Sequence, residues 1–347
     1  MPVNKTLLKR QLPALGLICS AFCFSTAATA SEQNRQITDM DGTVVSVPPH
    51  PASIADLWFA HNEILVMLGA AQNITTSAES PAEHPWLFKI APALRHARTG
   101  VRPGAVSPEE LLTQKTDLVF VSGQAQAENL RRFSLTTLDA RYVTLPAMLK
   151  SLDMTAQALN TVQARETAQH YRQKMEDTLL FLKKHTDALA EKDKPRVLHI
   201  ARLAPLQIDG TDTLINSWIE AAGGKNAATV SGNHRPVSFE QIVAWQPDII
   251  IFDPAAGAPD AASPLRTLEA FRNNRWAINP EGVFPWDRYG CEALLQLKWA
   301  AKLIHPALFN DVDIRKDTRD FYQDFFRYTL TEDDINRILN AQPPAAL

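Results

Sequence analysis

The sequence predicts an α/β protein of two similar lobes, each with a central parallel sheet, bridged by one long α-helix. Three observations predict it. A helix-then-strand phrase occurs twice at one offset, the segment between the copies lacks Gly and Pro over a long stretch, and each copy ends in an unbroken apolar strand. Ser107, Glu109 and Asp117 of the first copy recur as Ser238, Glu240 and Asp248 of the second. Each copy reads as a short helix opened by a Ser N-cap, with an acid in the first turn where the helix dipole favours negative charge. The strands that follow, Leu118–Val121 and Ile249–Phe252, show no polar alternation. Such strands are buried on both faces, as in a parallel sheet under helices. A repeat at this spacing is a duplicated domain, not a solenoid.

A leader precedes the lobes. Lys5, Lys9 and Arg10 form a basic stretch, an apolar run follows from Leu12 to Phe24, and small residues end in Ala28-Thr29-Ala30. This is a secretory signal with an A-x-A cleavage site. Its apolar run falls short of the ~20 residues that span a bilayer. Cys19 and Cys23 follow Ile18 and Phe22, which are too bulky for a lipidation site. Cleavage is expected after Ala30 (residues 1–30), which leaves Cys291 as the mature chain's one cysteine and excludes an intramolecular disulfide there. A lone Cys reads as a packed small hydrophobe. The formal charge of −3 gives no electrostatic footprint for nucleic acid.

The first lobe is assigned to residues 31–160. Asp41-Gly42 marks a hairpin within the β-rich run Ile37–Val47, and the first parallel strand falls near Ser53–Leu57. From Ala147 to Lys194 there is neither Gly nor Pro, and Asn160-Thr161 is the weakest helical point. The spacing therefore predicts a short helix over Ala147–Leu159 and a long one over Gln163–Ala190, within a connector at 161–194. Ala168, Tyr171, Met175, Leu179 and Leu182 form its apolar stripe. At 1.5 Å per residue such a rod is on the order of 40 Å, enough to bridge two lobes. The second lobe, residues 195–347, opens with Pro195 and the strand Arg196–Ala201; Gly282–Phe284 also reads as strand-like.

Loops after the strands of such sheets build ligand crevices, and facing lobes double the buried surface. Trp58, Phe59 and His61 follow the first strand, and aromatics in a loop are costly to expose unless they stack on something. Gly123 and Gln124 follow Leu118–Val121. Arg102 lies between Gly100 and Gly104, and Arg202 follows Arg196–Ala201; either would hold an anion through charge-assisted hydrogen bonds. His234 and Arg235 precede the second copy, and Trp286-Asp287-Arg288-Tyr289 follow Gly282–Phe284. A His and a Tyr from different loops can together complete a metal's coordination. The other histidines outside these loops fall in no metal-ligand spacing. No nucleophile elbow, phosphate loop, H-E-x-x-H or G-x-G-x-x-G occurs, so no enzyme motif is present.

Several phrases are familiar together: Ile37–Pro49, Glu63–Ala70, the repeated Glu109 and Glu240 phrase, Ala221–Asn226, and the terminal runs Trp286–Leu303 and Phe321–Leu330. In order, over almost the whole mature chain, they resemble ABC-importer binding proteins for ferric siderophores, haem and cobalamin. One departure is Thr116, where the family usually has Pro. The resemblance implies two Rossmann-like lobes, a ligand in the interlobe cleft and a monomer in the periplasm without intrinsic cofactor. It implies a metal chelate as ligand, a Fe(III)-siderophore first and haem next, with cobalamin or a nickel or cobalt chelate behind. It also implies a partner, the inner-membrane permease, docked through Glu109 and Glu240. His234 and Tyr289 correspond to a pair that completes the coordination of an unsaturated chelate. A secreted chelatase-like enzyme on the same fold is the rival from another class.

Overall fold

In the computed structural model, which describes residues 1–3, 33–102 and 104–345, residues 1–32 and 33–347 are separate units. Except for its first three residues, the leader expected at residues 1–30 lies outside the described residues. The second unit opens with a hairpin of β1 (Arg35–Thr38) and β2 (Val44–Val47), paired antiparallel. Its turn places Gly42 at φ +89°, a conformation open to Gly at little cost.

The first lobe contains β3 (Ile54–Asp56), α1 (Phe59–Met67), β4 (Ile74–Ser77), α2 (Pro85–Ile90) and α3 (Pro108–Thr113). It continues with β5 (Leu118–Val121), α4 (Gln124–Arg132) and β6 (Thr137–Asp139). The sheet order is β4-β3-β5-β6, parallel throughout. The chain then passes through α5 (Leu145–Leu159) and α6 (Val162–Thr186) to the second sheet. That lobe holds β7 (Arg196–Leu203), β8 (Leu206–Asp209), α7 (Leu214–Ala221), β9 (Lys225–Asn226) and β10 (Arg235–Pro236). After these come α8 (Phe239–Trp245), β11 (Ile249–Phe252), α9 (Glu269–Arg272) and β12 (Trp276–Ile278). The helices α10 (Ala293–Ile304), α11 (Ile314–Phe326) and α12 (Glu332–Leu339) end the fold. The second sheet runs β10-β8-β7-β11-β12, with β9 also on β7. Here β7, β9, β11 and β12 are parallel, while β8 pairs antiparallel with β7 and β10 antiparallel with β8.

The duplicated phrase does the same job in both lobes. Ser107 caps α3 by accepting the Glu110 N–H at 3.2 Å, and Ser238 caps α8 through a capping box with Gln241. Asp117 accepts the N–H groups of Ala52 and Ser53, at 2.8 and 2.9 Å, where the chain enters β3. Asp248 accepts the Arg196 N–H at 2.7 Å at the start of β7. Each aspartate thus sets the start of the neighbouring strand, and the fully buried strands β5 and β11 follow.

The helix break is at Asn160, in the left-handed region at φ +57°, with Thr161 capping α6. Asn tolerates that C-terminal position, which is why the sequence was weakest there. Helix α5 starts earlier than the Gly/Pro rule predicts. Thr144 caps it and Pro146 sits in the first turn, where its missing N–H costs nothing. Helix α6 ends at Thr186 and packs on α5, α7 and α10. Ala168, Tyr171, Met175 and Leu182 of its stripe are buried, and the Tyr171 hydroxyl donates to the Cys291 carbonyl at 2.6 Å.

At the seam between the lobes, Glu63 of α1 accepts the Cys291 N–H at 3.0 Å. Gly290 makes this possible: a Cβ there would stand 2.0 Å from the Glu63 carboxyl. Burial, and then the nearby Glu292 charge, push Glu63 well above the usual carboxylate range. Cys291 is fully buried and burial pushes its thiol up, so it packs as a hydrophobe.

Candidate functional site

The ends of the parallel strands deliver the first lobe's side chains to a cavity of about 280 Å³. Trp58 follows β3, Ser122 follows β5, and Arg141, Tyr142 and Val143 follow β6. Facing them from the second lobe are Asp212, Thr213, Gly232, Asn233 and Tyr289. The crevice therefore lies where loops beyond the strand carboxyl ends meet.

Its floor is aromatic. The Trp58 ring meets Tyr142 edge-on at 5.1 Å and lies 6.5 Å from Tyr289. The Tyr142 hydroxyl donates to the Tyr289 carbonyl, which joins the lobes at the back of the cavity. The Tyr289 hydroxyl takes a hydrogen bond from the Asn233 amide at 2.5 Å, while Asn233 Oδ1 has no partner among the described residues. Its walls carry the Ser122 hydroxyl, the Asn233 amide and the exposed Arg141 guanidinium, whereas the Thr213 hydroxyl donates to the Gly210 carbonyl and accepts the Asn216 N–H as the cap of α7. Among the described residues no carboxylate forms an ion pair with Arg141. The Asp212 carboxylate on the far wall accepts from the Ser231 hydroxyl at 2.8 Å.

Beneath the second-lobe wall lies a buried charge network. Arg288 donates from Nη1 to Asp209 and from Nε to Asp253, each at 2.9 Å. His199 of β7 bonds Asp209 through Nδ1 at 2.8 Å and Asp287 through Nε2 at 2.6 Å. Burial acts to lower the His199 pKa, but the hydrogen bonds to Asp209 and Asp287 hold it up at about 9, so both ring N–H groups donate. For Asp209, burial is outweighed by Arg288 and His199, which pull it well below the usual carboxylate range. Asp287 moves the other way, because burial exceeds the help from His199 and its Oδ1 has no partner among the described residues. The His234 N–H donates to Asp209 at 2.9 Å, while partial burial and the Arg288 charge lower the pKa of the largely exposed His234 ring.

Of the residues nominated by sequence, Trp58 and Tyr289 line the cavity. Several nominations need correcting. His61 is fully buried, bonded to Asp56 and Thr155 at 2.9 Å each, so it braces β3 against α5 and meets no solute. Trp286 is also fully buried and donates to Glu292 at 2.9 Å. The strand expected at Gly282–Phe284 is instead a turn. The N–H groups of Val283 and Phe284 go to the Tyr322 hydroxyl and the Glu292 carboxylate, leaving no ladder donors. Arg288 is spent on Asp209 and Asp253. Phe59 is half-buried in the first turn of α1; Gln124 is exposed and bonds Glu128. Arg102, Arg202, His234 and Arg235 are exposed and do not line the cavity, and Asn233, rather than His234, meets Tyr289. Arg141, Tyr142 and Asn233 were missed. A signal existed for the first two, since they directly follow β6, but that strand is three residues long and reads weakly.

Residues 60–275 match the model of a family described as periplasmic binding protein. The molybdate-binding protein MolA of Haemophilus influenzae is 24% identical over 94% of this chain and 100% of its own. A periplasmic solute binding protein from Veillonella parvula superposes with a TM-score of 0.76 at 26% identity, covering 88% of this chain and 97% of the other. The structure of MolA bound to molybdate gives 0.74 at 20% identity, covering 86% and 99%. Helicobacter pylori CeuE with Ni(II) bound gives 0.71 at 20% identity, covering 88% and 99%.

Proposed function

The chain belongs to the periplasmic binding protein family, and from that premise we propose that it delivers a compact, anionic metal species to the permease of an ABC importer. The observation that carries the choice of cargo is Arg141, a guanidinium on the cavity wall that pairs with no carboxylate among the described residues. The Ser122 hydroxyl and the Asn233 amide line the same cavity, and Trp58 and Tyr289 offer stacking faces. Charge-assisted hydrogen bonds from such a set suit a metal oxyanion or the carboxylate and phenolate edge of a chelate. MolA, bound to molybdate, and CeuE, with Ni(II) bound, support metal-bearing cargo.

A ferric siderophore, the cargo implied by the sequence, fits this chemistry where it is a small chelate. A cavity of about 280 Å³ sits at the small end of ligand sites, which favours a compact anion over haem or cobalamin. Tyr289 in the cavity, with the His234 ring next to Asn233, supplies the candidates to complete an unsaturated coordination sphere. Glu109 and Glu240 are exposed in the first turns of α3 and α8 and are proposed to dock on the permease. The backbone at the helix start and the Ser238 side chain hold the Glu240 carboxyl below its ordinary range, so it stays charged. The protein acts as a periplasmic monomer, with no catalysis of its own.

Titration with molybdate, a ferric catecholate, a ferric hydroxamate and haem, followed by tryptophan fluorescence, tests the cargo. One of the anionic metal species is expected to quench saturably at one equivalent. Arg141→Ala should weaken that binding by roughly tenfold to a hundredfold, the loss of one charged hydrogen-bond donor of about 1.5–3 kcal/mol. Unchanged fluorescence across the panel, or an Arg141→Ala variant that binds like the parent, rejects this cargo.

A further inference from the structure

Each copy of the duplicated phrase carries an aliphatic pair, Leu111-Leu112 on α3 and Ile242-Val243 on α8. The first member of each pair is fully buried under its helix, whereas Leu112 and Val243 are each 46% exposed. Surface aliphatics scattered singly need no explanation. These two are not scattered: they occupy the same position of the repeat, in helices with the same Ser cap. Each also lies three residues after an exposed glutamate, Glu109 or Glu240, and residues three apart share a helix face. Both lobes therefore present the same bipartite feature, a carboxylate with an apolar knob one turn further on. Other exposed large hydrophobics among the described residues, such as Val44, Phe133, Val162 and Leu180, fall outside the repeat.

A surface kept in duplicate fits a partner that is itself made of two like halves. We infer that Leu112 and Val243 are contact residues for the permease, each entering an apolar pocket whose rim carries the cation that meets the neighbouring glutamate. This rests on the docking role proposed for Glu109 and Glu240 and adds a second, non-electrostatic component to it. The carboxylates supply salt-sensitive steering, and the knobs supply contact that salt does not screen. Docking should therefore retain measurable affinity at high ionic strength, where exposed ion pairs alone would not.

The test uses the mature protein with its solute and the intact permease–ATPase complex in nanodiscs, with binding read by interferometry at low and high salt. Leu112→Ser and Val243→Ser should each weaken docking about tenfold, as expected for loss of one buried aliphatic contact, with the double variant worse than either. Solute affinity should stay at the parent value, and Leu112→Met with Val243→Ile should restore docking. Glu109→Gln and Glu240→Gln serve as the comparison. If these weaken docking while the serine variants dock like the parent, the apolar component is wrong and the glutamate role stands. If both sets dock like the parent, the docking face itself is misassigned and the inference falls with it. A parent chain that dimerises in solution, and whose dimer Leu112→Ser dissolves, would show that the knobs serve self-association and overturn the inference.

Discussion

Arg288→Leu is expected to lower the free energy of unfolding by about 3–5 kcal/mol, the usual cost of stranding a buried charge. Its guanidinium joins Asp209 at the end of β8 to Asp253 just beyond β11, and all three side chains are nearly or fully buried. Leucine fills the volume but strands Asp253 and leaves Asp209 to share one imidazolium with Asp287. The strand ends that hold the second-lobe wall of the cleft should then separate. Arg288→Lys should recover only part of the loss, because an ammonium cannot reproduce the fork that reaches both acids at once. Adding Asp253→Asn to Arg288→Leu should restore stability by removing one of the orphaned charges. Urea unfolding of the four proteins at neutral pH decides the matter. A loss under about 1 kcal/mol for Arg288→Leu would mean that solvent reaches the cluster and screens it.

That network also marks the limit of what the sequence disclosed. Fold and family were legible because they rest on periodic or repeated features. Two aspartates at matched positions start two strands, two serines cap two helices, and an asparagine breaks α5 from α6. Each depends on neighbours within a few residues, or on a pattern written twice. The site depends on which loops meet, and that is decided by packing over long separations. His61 and Trp286 looked like cleft residues because they follow apolar runs in loop-like context. In the fold, Asp56 and Thr155 claim the imidazole, and Glu292 claims the indole. Arg288, read as a ligand contact, is held by two acids from distant strands. Arg141 went unseen for the opposite reason, since its one local signal, a place just after β6, rests on a strand of three residues. The mixed character of the second sheet was equally hidden, because β8 spans only Leu206–Asp209 and its pairing with β7 is what makes it a strand.

Stability should fall as pH rises from about 6.5 to about 9, and His199 should account for a large part of that fall. In the unfolded chain its imidazole loses its proton near the ordinary value of 6.5, whereas in the fold Asp209 and Asp287 hold the proton to about 9. Between those values the folded state binds more protons than the unfolded state, so each step up in pH favours unfolding. Below 6.5 both states are protonated and the contribution is complete; above 9 it is gone. The shift corresponds to about 3 kcal/mol at full development. Other groups act in overlapping windows with the same sign. Burial raises Glu292 to about 8 and Glu281 to about 7, so each keeps its proton in the fold after the unfolded chain has released it near 4.5. Their losses begin well below 6.5, which separates them from His199 in a titration. His199→Gln removes the imidazole while leaving Asp209 paired with Arg288. Urea midpoints measured at pH 5, 6, 7.5 and 9 should show the parent steepest between the last three. The variant should lie below the parent at pH 6 and converge on it by pH 9. Parallel curves with a constant gap would mean that His199 enters the fold neutral and that Asp287, not the imidazole, carries the shared proton.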